Sequence, residues 1–173
     1  AGGIVAALWL PLVLTGMHVT LATLAIAALA TNGLDSFVLV VATLPLWSGY
    51  GVELASSVRL HGNQKSLAFG YFISNIVGGV GEPFMYGLWI ERHRLWATCA
   101  AASFVTGALA IALGVKLYIP GSSNFLNILC FAGGGSSNLI SAIVCAVIGF
   151  ALGFVLTFFF GFTKEELEAS RTE

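Results

Sequence analysis

Charged side chains are scarce in this sequence of 173 residues. Asp, Glu, Lys and Arg make up 9% of the chain, whereas soluble domains carry about 25%. The hydrophobic fraction is 58%, and a chain of this length has too high a ratio of surface to volume to bury so many apolar side chains. The composition therefore excludes an ordinary soluble domain. It indicates an integral membrane protein whose surface is covered mostly by lipid.

Several other signatures are missing. The net charge of −1 provides no basic excess, so we expect no nucleic-acid partner. Cys99, Cys130 and Cys145 show no CxxC spacing, and we interpret them as small buried hydrophobic residues. The sequence contains no P-loop, dinucleotide fingerprint, metal-ligand cluster or nucleophile elbow. We therefore expect neither a metal site nor a cofactor.

Long apolar runs are what the sequence does contain. The first charged residue is Asp35, and Pro11 and Gly16 in the preceding run allow a kink or local unwinding. Four runs are long enough for helices that span a bilayer: residues 4–30, 37–58, 95–118 and 139–162. The sequence predicts an all-α membrane protein with about four transmembrane helices. Residues 1–162 form the membrane domain, and residues 163–173 form a solvated cytoplasmic tail.

A further apolar stretch, residues 66–90, differs from the others because it is rich in glycine and contains GGVGEPFMYG. Arg59 and Lys65 precede it, and Arg92 and Arg94 follow it. Cytoplasmic loops collect Lys and Arg, and a single crossing would leave one of these pairs outside. The pattern favours a re-entrant hairpin that enters and leaves from the cytoplasm. Residues 119–137 form either a second hairpin, facing outside, or a loop.

Glu82 is the most informative residue of this hairpin. Insertion scales assign the closely related Asp about 2.5 kcal/mol or more at a helix centre, so a carboxylate is kept there only where it pairs or faces a polar cavity. Gly81 and Pro83 flank Glu82 at the tip of the broken helix. Its carboxylate can accept hydrogen bonds from ligand hydroxyl groups. The alternative is a carboxylate satisfied by neighbouring backbone or by an arginine.

His18 is the only ionisable side chain before Asp35. A histidine in a membrane helix usually faces the interior of the bundle, where it can bind a hydroxyl group or accept a proton. Packing alone explains such a residue equally well. Together with Glu82, however, it forms the convergent polar pair that is typical of a small-molecule site. Glu82 and His18 are both possible proton acceptors.

Other polar or aromatic residues flank the hairpin. Asn75, Gly81 and Tyr86 are further candidates for ligand binding, although Asn75 can instead satisfy irregular backbone. Glu53 is a weaker candidate because it lies near the cytoplasmic end of a helix, where its side chain can snorkel towards water. We expect the two histidines of the basic loops to be solvated, namely His61 and His93.

The segment KSLAFGYFISNIVGGVGEPFMYGLWIERHR resembles a hallmark of the enzyme IIC sugar permeases of the bacterial phosphotransferase system. It looks most like the β-glucoside and sucrose branch of the glucose superfamily, whose pattern is Gly-Ile-Thr-Glu-Pro-Ala-Ile-Tyr-Gly. The matching residues are Gly79, Glu82, Pro83, Tyr86 and Gly87, and the departures are Val80, Gly81, Phe84 and Met85. TGMH, ending at His18, resembles the family's Leu-His-Trp region. NGLDSF and VLTFFFGF resemble its Gly-Tyr-Asp turn and its closing helix.

This resemblance implies a fold and a function. Such permeases have an oligomerisation half and a substrate-binding half, and this chain looks like the latter. By analogy, Glu82 and His18 contact a sugar whose 6-hydroxyl is phosphorylated by a phosphocysteine of enzyme IIB, so the phospho-donor residue is not in this chain. The expected partners are the sugar, phosphorylated enzyme IIB, the oligomerisation half, a second copy in a homodimer and the lipid bilayer. The expected location is the bacterial inner membrane, with several passes.

Two other functions fit the same features. An ion-coupled secondary transporter also uses broken helices at the middle of the membrane. A truncated or assembly subunit that does not transport would also lack an oligomerisation half. Because of the resemblance to enzyme IIC, we expect the phosphotransferase function and keep these two as alternatives.

Overall fold

The computed structural model describes residues 1–121 and 123–172. Within these ranges every regular element is helical, apart from one isolated antiparallel bridge between Asp35 and Leu117. The α-helices are α1 Gly2–Leu14, α2 Met17–Asn32, α3 Val38–Thr43, α4 Leu46–Arg59, α5 Gly62–Ile76, α6 Glu82–Phe84, α7 His93–Ala112, α8 Gly135–Phe160 and α9 Lys164–Thr172. A π-helical turn, Met85–Trp89, follows α6, and a 3₁₀ helix, Phe125–Gly134, precedes α8.

Three stretches are long and apolar enough to cross a bilayer, by length and composition: Val38–Arg59, His93–Ala112 and Phe125–Phe160. The shorter helices α1 and α2 are also apolar. Large apolar side chains on α8 are exposed, among them Ile140 at 60% and Phe159 at 67%, as a surface in contact with lipid requires. The prediction of an all-α membrane protein is confirmed. The number of passes stays a prediction.

The first apolar run, residues 4–30, forms two helices rather than one continuous span. The chain leaves α1 at Thr15, and Gly16 adopts a left-handed conformation with φ of 75° before α2 begins. The Thr15 hydroxyl donates to the carbonyl oxygens of Pro11 and Leu12, at 3.1 and 3.2 Å. The break therefore lies at the glycine that the sequence analysis names as a place for a kink or unwinding.

Close packing of α4, α7 and α8 forms the centre of the molecule. Gly51 and Gly153 lie so close to the facing helix that a methyl group at either would overlap the carbonyl oxygen of Phe150 or Ser48. Small residues allow this approach between membrane helices, and hydroxyl pairs join them. One pair links α7 to α8 through Thr98 and Thr157, whose Oγ1 atoms are 2.8 Å apart.

The stretch predicted as a hairpin is a helix, a turn and a second, short helix. α5 packs against α4 and ends at Ile76, and Gly79 turns the chain with φ of 74° before α6 begins at Glu82. The amide of Gly79 donates to the carbonyl oxygen of Asn75 at 2.8 Å and so closes the end of α5. The broken-helix geometry agrees with the prediction. Entry from the cytoplasm stays a prediction.

Two segments have more regular structure than the sequence analysis expects. Residues 119–137, taken as a hairpin or a loop, contain the 3₁₀ helix, which Asn124 caps by accepting from the amide of Leu126 at 3.1 Å. The tail expected to be solvated forms α9, which begins with a capping box. The amide of Thr163 donates to Glu166 Oε2 at 2.6 Å, and the amide of Glu166 donates to Thr163 Oγ1 at 3.2 Å.

Candidate binding cavity

A cavity of about 730 Å³ lies beside the hairpin. Its walls come from α1 to α4, from the end of α5 and the turn after it, from α6 and the π-helical turn, and from α7. The segment after α7 completes them with Leu117, Pro120, Gly121 and Ser123. Most of the lining is apolar, and a few polar side chains converge on it. Ligand pockets typically have volumes of about 300–1,000 Å³ and this mixture of apolar walls with a few polar groups. The cavity therefore has the size and composition of a small-molecule site.

The hairpin contributes three of the predicted site residues to the cavity: Asn75, Gly81 and Glu82. The left-handed turn at Gly79 reverses the chain, so that the end of α5 and the start of α6 line the same space. Glu82 is exposed there, at the first position of α6. Glu82 is thus both exposed and part of the cavity lining.

His18, the second residue of α2, also lines the cavity, although it is far from the hairpin in the sequence. The ring is half-buried, and its Nδ1 lies 3.3 Å from the carbonyl oxygen of Leu12. Trp9 packs edge-on against it, with ring centroids 6.5 Å apart. When Nδ1 carries the proton and donates to Leu12, the neutral ring leaves Nε2 as an acceptor.

Tyr86 is the one predicted site residue that the structure places outside the cavity lining. It lies in the π-helical turn and is 63% exposed, whereas Met85 and Trp89 of the same turn line the cavity. The indole of Trp96, also in the lining, donates to the carbonyl oxygen of Trp89 at 2.7 Å. Flat aromatic surface is therefore supplied by tryptophan rather than by Tyr86.

The prediction for Glu53 was wrong: its side chain does not snorkel towards water at a helix end but is buried. The side chain is 1% exposed and lies in the cavity wall, where Asn75 Nδ2 donates to its Oε1 at 2.6 Å. α5 packs back against α4 and shields Glu53 from solvent, so distance from the helix end was a poor guide. Leu46, Gly49 and Glu53 have the i, i+3, i+7 spacing of one helix face, and all three line the cavity, but this spacing does not by itself show that the face is buried.

The basic segment after the hairpin makes contacts that the sequence did not predict. His93, predicted to be solvated, is exposed but stands in the cavity lining at the start of α7. Arg92 is partly buried, and its Nε lies 3.7 Å from Glu166 Oε1 of α9. Its Nη2 donates to Gln64 Oε1 of α5 at 3.1 Å. Arg92 therefore joins both ends of the hairpin to the C-terminal helix.

These features define a class: a helical membrane protein whose cavity is lined by polar groups of a broken-helix hairpin, Asn75 and Glu82, together with Glu53 of α4 and His18 of α2. Comparison with curated proteins agrees with the resemblance found in the sequence. The chain is 27% identical, over 95% of its length, to a "PTS system MurNAc-GlcNAc-specific EIIBC component" of Staphylococcus epidermidis, of which the alignment covers 34%. It is 26% identical, over 98% of its length, to an "arbutin-, cellobiose-, and salicin-specific EIIBC component" of Escherichia coli, with 36% of that protein covered.

The chain is also 25% identical, over 95% of its length, to the MurNAc-GlcNAc-specific EIIBC component of Staphylococcus haemolyticus. No family model and no solved structure matches the chain. The chain spans about a third of the length of the curated relatives that it matches. The resemblance to a phosphotransferase-system permease of the β-glucoside type is confirmed, and the chain is similar to enzyme IIC.

Proposed function

We propose that this chain is the sugar-binding membrane part of a bacterial sugar phosphotransferase system. One observation carries the proposal. Four residues selected from the sequence, His18, Asn75, Gly81 and Glu82, line one cavity in a chain that is similar over 95% of its length to EIIBC components. Residues 1–162 form the membrane domain in this proposal, and residues 163–173 extend it on the cytoplasmic side.

The lining of the cavity suits a sugar. Glu82 can accept hydrogen bonds from hydroxyl groups, and His18 adds a second polar group from another helix. Trp89 and Trp96 supply flat apolar surface against which the face of a sugar ring packs. The sugars named for the relatives define the substrate classes to test first: aryl β-glucosides, a β-linked glucose disaccharide and an amino-sugar disaccharide.

In this proposal the phosphoryl donor belongs to the partner, enzyme IIB. A hydroxyl oxygen of the bound sugar attacks the phosphorus atom of a phosphocysteine on enzyme IIB. The new O–P bond forms as the S–P bond breaks, and the cysteine leaves as a thiolate. Glu82 or His18 accepts the hydroxyl proton. Phosphoryl transfer depends mainly on positioning, so the contribution of this chain is to hold the hydroxyl group in line with the phosphocysteine.

Equilibrium binding of four sugars tests the site assignment: arbutin, cellobiose, salicin and MurNAc-GlcNAc, with the full chain in lipid nanodiscs. We expect at least one to bind, and Glu82→Gln to weaken that binding about tenfold, because the acceptor loses its charge and an NH2 donor replaces one of its two accepting oxygens. The matched control is Glu168→Gln, the same change on an exposed residue of α9. Unchanged binding by Glu82→Gln would remove Glu82 from the site.

The comparisons do not favour the ion-coupled secondary transporter. The two mechanisms differ in what drives uptake. Vesicles that contain the chain together with the remaining permease segment should accumulate phosphorylated sugar when phosphorylated enzyme IIB is supplied, without an ion gradient. Uptake of unmodified sugar that requires a proton or sodium gradient would overturn the proposal. Failure of both would favour a subunit that does not transport.

The remaining partners belong to the same proposal. The relatives are about three times as long as this chain, which leaves room in them for an oligomerisation half and for enzyme IIB. A homodimer in the bacterial inner membrane, with several passes per chain, is the expected assembly. Co-purification of a second membrane polypeptide with the chain would support the need for an oligomerisation half.

A further inference from the structure

Glu53 is a buried carboxylate with an incomplete set of partners. It is 1% exposed, and among the described residues its Oε2 has no hydrogen-bond partner, whereas its Oε1 accepts from Asn75 Nδ2 at 2.6 Å. Burying a carboxylate is costly unless its hydrogen bonds are made. Stability alone therefore does not explain a glutamate at this position. Its hydrogen bond to Asn75 of the hairpin suggests a functional role instead.

Asn75 connects Glu53 to the tip of the hairpin. Its backbone carbonyl accepts from the amide of Gly79 at 2.8 Å, and its side-chain amide lies against Gly81. A Cβ atom at Gly81 would stand 3.1 Å from Asn75 Nδ2 and 3.3 Å from Oδ1. The next residue is Glu82. A chain of direct contacts thus runs from Glu53 on α4, through Asn75, to the backbone that carries Glu82.

We propose that Glu53 is a positioning residue of the sugar site, which fixes the Asn75 amide and through it the turn that holds Glu82. This inference rests on the proposed function, because it assigns Glu53 a role in sugar binding by Glu82. It changes the role of Asn75 as well. The Asn75 amide donates to Glu53 and packs on the turn, so Asn75 supports the site instead of serving as a primary ligand for the sugar.

Gly81 is part of the same arrangement. The permease pattern that the hairpin resembles has Thr at this position, and a threonine side chain would crowd the Asn75 amide at the distances given above. Glycine leaves the space in which the amide reaches Glu53. The glycine at position 81 is therefore sterically compatible with the hydrogen bond between Asn75 and Glu53.

Binding of the same four sugars to Glu53→Leu and Glu53→Gln tests this role. Leucine removes the acceptor for Asn75 and is expected to weaken binding about tenfold. It should change thermal stability little, because removal of the buried carboxylate is offset by the loss of the acceptor for Asn75 Nδ2. Glutamine keeps an acceptor oxygen for Asn75 Nδ2 and should restore binding to within about threefold of the wild type.

A double-mutant cycle separates positioning from an independent structural effect. If Glu53 acts through Glu82, then Glu53→Leu should cause no further loss of binding in the Glu82→Gln background. Gly81→Thr provides a test that leaves Glu53 intact. It should weaken binding in the same direction as Glu53→Leu, because it displaces the Asn75 amide.

Three results would overturn the positioning role: full binding by Glu53→Leu, equal losses in Glu53→Gln and Glu53→Leu, or additive losses in the double mutant. The second would mean that the charge of Glu53, not its acceptor for Asn75, matters. These failures are distinct from failure of the proposed function. Absence of binding by the wild type to all four sugars would overturn both proposals, whereas wild-type binding with an unaffected Glu53→Leu would overturn this one alone.

Discussion

The interface between α4 and α8 and the hairpin wall of the cavity both depend on glycine, but for opposite purposes. At the interface, Gly51 and Gly153 let two long helices approach until backbone meets backbone. In the hairpin, Gly79 turns the chain with positive φ, and Gly81 leaves room for an amide. The interface glycines allow close helix packing, which supports the fold. The hairpin glycines shape the cavity wall, which carries polar groups.

The two regions also treat polar side chains differently. Hydroxyl groups at the helix interfaces are paired, for example Ser48 Oγ with Thr106 Oγ1 at 3.1 Å. At the cavity, Glu53 has one oxygen without a hydrogen-bond partner among the described residues, and Glu82 stands exposed in the lining. Paired hydroxyl groups hold the bundle together, whereas the exposed carboxylate of Glu82 remains for a ligand. Mutations in the two regions should therefore affect different properties.

Gly153→Leu should have the largest effect, and it should affect folding. Its side chain would overlap the backbone of α4 at Ser48, and overpacking of this severity should exceed about 3 kcal/mol of destabilisation. We expect little monodisperse protein in size-exclusion chromatography and a lower midpoint of thermal unfolding. Ala151→Leu, on an exposed position of the same helix, is the matched control and should behave like the wild type. A well-folded Gly153→Leu protein would contradict the close packing of α4 and α8.

The second largest effect should be a loss of sugar binding in variants that still fold. Glu82→Gln and Glu53→Leu should each weaken sugar binding about tenfold and leave the midpoint of thermal unfolding near that of the wild type. If either variant instead behaved like Gly153→Leu, the distinction between a structural interface and a functional wall would fail.

Thr163→Ala should have the smallest effect. It removes one half of the capping box at the start of α9, which costs about 1 kcal/mol of helix stability. Glu166, the other half, also faces Arg92 at the end of the hairpin. We expect faster hydrogen exchange in α9 with unchanged exchange in α4 and α8. Equal acceleration throughout the bundle would mean that α9 is not a separate unit.

The sequence was a good guide wherever one residue dominates the physics. A lone carboxylate and a lone histidine in apolar runs indicated Glu82 and His18, and the structure brings both to one cavity. Gly16 and the glycines near Gly79 indicated where helices break. Each of these inferences depends on a property that a single side chain carries with it.

Contacts between distant segments were harder to infer. The burial of Glu53 depends on α5 folding back over α4, and periodicity within α4 does not describe that. Tyr86 was expected at the site, but the π-helical turn directs Met85 and Trp89 to the cavity instead. The C-terminal helix was missed although Thr163 and Glu166 have the spacing of a capping box, since their neighbours are strongly polar.

Labelling of single cysteines tests most directly whether the segment that carries Glu82 is a hairpin. Cys99, Cys130 and Cys145 are buried, so reagents that do not cross membranes should report on introduced cysteines at exposed positions. Lys65→Cys and Arg94→Cys lie on either side of the hairpin, and both positions are exposed. The account predicts that both react from the cytoplasmic face only. Reaction of the two from opposite faces would make the segment an ordinary crossing and would contradict it.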